Sequence, residues 1–166
     1  MISKKSKEEI LILKEGGRRH AEILALLSKR VAPGVSTLTL NEYAEALLRE
    51  GGDVAAFLNY TPEGASRPYP AALCVSVNDE IVHGIPNENP TFLKEGDIVT
   101  LDLGVVHKEL ITDMAVTVGV GKISKEDQLL IEATDEALRA GILAARGGHA
   151  IGAVSYTHLT LPTNRE

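Results

Sequence analysis

Residues 97–121, DIVTLDLGVVHKELITDMAVTVGVG, constrain the chain more than any other stretch. Two β-rich runs flank a polar break, and apolar residues alternate along each run, the pattern of a hairpin with one face buried. With the turn centred on His107-Lys108, Leu101 faces Met114 and Val99 faces Val116, so one side of the ribbon is apolar. On the other side Thr100 faces Ala115 and Asp102 faces Asp113. Like charges directly opposed destabilise a sheet. Partial burial would drive a proton onto one carboxylate, whereas a divalent cation held by both removes the conflict. Carboxylate oxygens suit magnesium, manganese, iron or zinc. The alternatives are a shifted turn, or two carboxylates that simply lie in water.

The rest of the chain frames this hairpin. Residues 5–31 carry a helical stripe (Ile10, Leu13, Ile23, Leu26, Leu27), with Gly16-Gly17 as a point of loosening. Pro33-Gly34 ends it. Thr39-Leu40-Asn41-Glu42 has the form of a capping box, opening a second helix that stops at Gly51-Gly52. Residues 53–72 are irregular and proline-rich. ALCVSVN then alternates as a strand, and IVHGIP follows after Asn78-Asp79-Glu80. A third helix starts at Ser124-Lys125-Glu126-Asp127 and ends at Gly147-Gly148. Helices, then strands, then a helix predict an α+β fold with an antiparallel sheet and flanking helices.

His83 stands out within IVHGIP because Gly84 and Pro86 fix an unusual backbone around it. Alone, a histidine among apolar residues serves as readily as a satisfied core or edge group. His20, His107, His149 and His158 are weaker candidates. Cys74 reads as a small buried apolar side chain. It is the one cysteine, so no disulfide can form within the chain, which fits a reducing cytoplasm. The net charge of −6, with both signs interspersed, argues against a nucleic-acid or anionic-membrane partner. No apolar run approaches the roughly 18 residues of a membrane span.

CVSVNDEIVHGIP, LKEGDIVTLDLGV and ITDMAVTVGVG together resemble one family, the type I methionine aminopeptidases of the pita-bread fold. The resemblance runs from about Lys7 to about Val154 and includes APGVSTLTLNEYA. It implies a partial aminopeptidase domain over 1–154, the N-terminal half of that fold. It also implies removal of the initiator methionine from nascent chains in the cytoplasm, with a pair of divalent metals (cobalt, manganese, iron or zinc). By the same resemblance Asp102 binds one metal, Asp113 bridges both, and His83 contacts the substrate or the developing tetrahedral intermediate. Phe57, Tyr60, Tyr69 and Cys74 fall where the family lines its methionine pocket; they are also suited to plain core packing. Thr112-Asp113-Met114 departs from the small residue and Asp-Thr usual there, but keeps the aspartate.

The ending SYTHLTLPTNRE, residues 155–166, resembles foreign coding sequence and is expected to be disordered and outside the family. Family members continue beyond it with a metal-binding histidine, two glutamates and a second substrate histidine. The expectation is therefore a C-terminally truncated enzyme with an incomplete ligand set. An exposed half-fold face predicts a homodimer. The alternative function is a non-catalytic pita-bread module that binds peptides or proteins.

Overall fold

The structure, a computed structural model, describes residues 4–159, and side chains up to residue 155. The chain divides at Ile123/Ser124 into two compact units.

In the first unit α1 spans Lys7–Arg30. Its N-terminus is a full capping box: Ser6 Oγ accepts from the Glu9 N–H, and Glu9 returns a bond to the Ser6 N–H. The helix is continuous through Gly16-Gly17. Gly16 is not a loose point but a packing site, because a Cβ there would stand 3.2 Å from that of His107. Helix α2 spans Thr37–Gly51. Its cap is Ser36, three residues before the expected Thr39; Ser36 Oγ accepts from the Thr39 N–H at 3.1 Å. The helix ends as expected at Gly52, which is left-handed with φ 71°.

Four strands make the sheet: β1 (Val54–Ala55), β2 (Leu73–Val77), β3 (Ile98–His107) and β4 (Leu110–Gly119). All pairings are antiparallel. β4 runs the length of one edge of β3, while β2 and the short β1 share the other edge end to end. One sheet face buries Leu73, Val75, Val99, Leu101, Leu103 and Val105 against Ile23, Leu24 and Leu27 of α1 and Leu40, Ala44 and Leu48 of α2. Truncating any one of the leucines to alanine costs about 2–5 kcal/mol. Asn41, from within the expected capping box, instead turns inward, and its Oδ1 accepts from the Ala72 and Leu73 N–H groups at 2.9 and 3.1 Å. That locks α2 to the start of β2.

The second unit holds α3 (Lys125–Ala144), capped by Ser124 as expected, and α4 (Ile151–Leu159). Helix α4 therefore takes in the first residues of the segment expected to be disordered; residues 160–166 lie outside the described residues. Leu138, Gly141, Ile142, Ala145, Ile151 and Val154 line an apolar groove between the two helices. Leu129, Leu130 and Leu143 stay exposed on α3. Among the described residues no helix is long and apolar enough to cross a membrane.

Candidate metal centre

The hairpin turn falls on Lys108-Glu109, not on His107-Lys108. Both residues have positive φ, 45° and 68°, the signature of a two-residue type I′ turn, whose twist matches that of the strands. His107 stays in β3 and pairs with Leu110. Its Nδ1 meets Asp53 Oδ1 at 2.7 Å, and the other oxygen of Asp53 accepts from Arg19 Nε at 2.8 Å. That buried carboxylate ties the end of β3 to α1 and to the end of α2, and so holds His107 out of the turn.

The expected direct pairing of Asp102 with Asp113 is corrected accordingly. Asp102 faces Ala115, and Asp113 faces Gly104. The two aspartates are diagonal neighbours, one pair apart on the same face. Every partner slides by two residues, so side chains keep their faces while their partners change. Diagonal positions on a sheet lie about 7–8 Å apart, within mutual reach of carboxyl groups.

That face points away from α1 and α2. Burial, first, and the charge of Asp113, second, push the Asp102 carboxyl above its ordinary range; His83 pulls the other way. Asp113 is exposed, while Asp102 is half-buried.

His83 is placed by its neighbour. The Gly84 N–H donates to Ser76 Oγ at 3.1 Å, and the Val75 N–H donates to the Gly84 carbonyl at 3.0 Å. A Cβ on Gly84 would stand 2.1 Å from the Val75 carbonyl oxygen, so only glycine fits against β2. The chain enters this contact with His83 left-handed at φ 61°, exposed and within electrostatic reach of Asp102.

Cys74 pairs with Asp102 across β2 and β3 and is buried. Burial is the main cause that pushes its thiol up, offset by the Tyr69 hydroxyl and reinforced by Asp102 and Asp113. It is therefore a neutral thiol at neutral pH. Burial, followed by Cys74, raises Tyr69 as well, and its hydroxyl donates to the Gly84 carbonyl at 3.2 Å. Phe57 meets Tyr69 edge to face, with centroids 6.4 Å apart and planes at 87°. Phe57 occupies the space that a side chain at residue 104 would take: a Cβ on Gly104 would lie 2.6 Å from the Phe57 ring. Five of the expected residues (Asp102, Cys74, Tyr69, Phe57 and His83) thus adjoin one another. Tyr60 contributes backbone bonds to Phe57 and Tyr69, and the residue itself is 60% exposed.

Sequence reasoning missed Gly104 and placed His20 among the weaker candidates. The signal for Gly104 was a glycine inside a strand, which marks a close approach. His20 is fully buried in α1, and its Nδ1 lies 3.0 Å from Thr112 Oγ1, on the residue before Asp113. Burial dominates its titration and lowers it, favouring the neutral ring. The signal for His20 was its spacing, three, four and seven residues before Ile23, Leu24 and Leu27 on the buried stripe of α1.

The aspartate pair fits a divalent cation as two hard oxygen ligands, because the cation would relieve the repulsion that raises Asp102. Among the described residues no cluster of three or more histidine, cysteine, aspartate or glutamate side chains is arranged to hold a metal. The chain thus offers part of a ligand set.

The model of metallopeptidase family M24 matches residues 12–163. The methionine aminopeptidase of Aquifex aeolicus is 41% identical over 150 residues, covering 90% of this chain and 58% of that protein. Methionine aminopeptidase 1 of Bacillus subtilis is 35% identical, covering 100% of this chain and 64% of its own length. Among solved structures, the methionine aminopeptidase of Thermotoga maritima superposes with a TM-score of 0.86 at 33% identity, over 95% of this chain and 60% of that one. That of Rickettsia prowazekii gives 0.86 at 30% identity. Aminopeptidase P of Escherichia coli, at 22% identity and a TM-score of 0.77, shares the fold. The chain spans about three-fifths of the length of the relatives it matches.

Proposed function

The chain belongs to metallopeptidase family M24, and from that premise we propose that it carries one part of the site of a cytoplasmic methionine aminopeptidase. Its substrates are peptides or nascent chains with an N-terminal methionine, and it has no nucleic-acid or membrane partner. The observation that carries this reading is the diagonal Asp102–Asp113 pair beside the Cys74, Phe57 and Tyr69 cluster.

In this reading Asp102 and Asp113 would hold a pair of divalent metals, with cobalt, manganese, iron and zinc the candidates; once bound there, such ions would supply Lewis-acid chemistry at a carbonyl and a more acidic water. The protein's own contribution is positioning. The exposed His83 imidazole lies beside Asp102, where it can hydrogen-bond the substrate carbonyl and the oxyanion that develops from it. The neutral Cys74 thiol and the edges of Phe57 and Tyr69 give a thioether an apolar bed with a soft sulfur contact. Tyr60, at the rim, completes the pocket on substrate binding.

A second copy of the chain covers the apolar surface left by Leu129, Leu130 and Leu143 and completes the ligand set. The second reading, a peptide-binding module without catalysis, is favoured by one observation, the lack of a third metal-binding group among the described residues.

Methionine release from Met-Ala-Ser, with manganese or cobalt added, separates the two. Metal-dependent release that Asp102→Asn abolishes is the expected result. No release with enzyme near the substrate concentration leaves the binding module.

A further inference from the structure

One polar side chain lies inside the core directly beneath the aspartate pair. His20 comes from α1, is fully buried, and crosses to the sheet. Its Nδ1 sits 3.0 Å from Thr112 Oγ1 on β4. The other ring nitrogen, Nε2, meets no partner at hydrogen-bond geometry. Thr112 precedes Asp113. The imidazole therefore bears on β4 at the residue next to an aspartate. Gly16, one turn earlier on α1, lets the helix come close to this spot: its Cβ would lie 3.7 Å from the Thr112 methyl group. A buried histidine costs stability unless its nitrogens are engaged, so its place here needs a reason beyond packing.

We propose that His20, through Thr112, is a positioning residue that pins β4 to α1 beneath the site and so steadies Asp113 beside Asp102 within the register that the turn sets. This rests on the reading of the two aspartates as metal ligands. The diagonal arrangement leaves the carboxylates on separate ladder pairs. The register is set along the ladder and at its His107 end, and the tie from beneath limits how far β4 moves at Asp113. Groups that orient metal ligands from behind typically change metal affinity about 10–100-fold when removed.

The test uses Thr112→Val, which keeps the shape and loses the hydroxyl, and Thr112→Ser, which keeps the hydroxyl. Both avoid emptying the core as His20→Ala would. In metal-free protein, amide hydrogen exchange is followed across residues 102–104 and 112–115. The expected result is roughly tenfold faster exchange in Thr112→Val, confined to those residues, with Thr112→Ser like the wild type. Manganese affinity is then measured by calorimetry, with a roughly tenfold loss expected in Thr112→Val and recovery in Thr112→Ser. Exchange and affinity both unchanged in Thr112→Val overturn the role of His20, as does equal damage in the serine variant. Asp113→Asn isolates the premise. If it binds manganese as the wild type does, the metal reading fails, and the exchange result still decides whether His20 steadies β4.

Discussion

Asp102 concentrates the electrostatic conflict of the site. Its folded pKa lies above the ordinary value, through burial first and Asp113 second. The neutral carboxyl is thus the form the fold favours. That stability is present below the unperturbed value of 3.8 and is lost as pH rises through the folded value. At neutral pH without metal, Asp102→Asn is expected to raise the melting temperature, through a stabilisation of no more than about 1 kcal/mol for such a partly solvated pair. The gain should vanish in acid. Added manganese should reverse the order, because ligand stabilises only the protein that binds it. Melts at two pH values, with chelator or metal, read all three effects. Gly84 makes a purely steric prediction. A methyl group there has nowhere to go, so Gly84→Ala should cost at least about 2 kcal/mol in denaturant unfolding and release Tyr69 from its anchor.

Among the elements, the turn of the hairpin is the least suited to its conformation. Lys108 and Glu109 both sit left-handed, which favours asparagine and glycine. The double change Lys108→Asn with Glu109→Gly is expected to add about 1 kcal/mol, a shift of several degrees in the melting midpoint. It should leave the register intact, as strand amide shifts would report. For α2, Ser36→Ala should cost about 1 kcal/mol by losing the helix cap. Thr39→Ala should cost less, although Thr39 was the cap that the sequence pattern suggested.

These two elements mark how far the sequence was legible. Apolar periodicity located α1 and both hairpin strands, because each buries one stripe or one face, while cap residues and glycines located α2 and α3. It could not centre the turn, since a slide of two residues preserves every face. What decided the turn was the contact of His107 with Asp53, which lies 54 positions away. Strand β1 was missed because two residues carry no alternation. Asp102 was singled out by its paired charge, His83 by its backbone setting and Cys74 by resemblance, and the three come together. Their mutual placement depends on Gly84 and Gly104, where the informative feature is a missing side chain.

At the scale of the molecule, helices cover one face of the sheet, and the other carries the aspartates. The chain spans three-fifths of a relative's length, and its sheet carries the two aspartates beside Cys74, Tyr69 and Phe57. If a second copy completes the site, the solution mass should be that of a dimer at concentrations on the order of tens of micromolar. Leu143→Glu, on an exposed position of α3, should shift it towards monomer. A monomeric mass for the wild type would leave each site with the ligands of one chain.

The proposed function depends on Asp102 and Asp113 binding divalent cations together. The most direct measurement is manganese binding, followed by electron paramagnetic resonance, in the wild type, Asp102→Asn and Asp113→Asn. Saturable binding in the wild type that either single change removes is the predicted result. Equal binding in all three proteins, or none in the wild type at millimolar manganese, would contradict it.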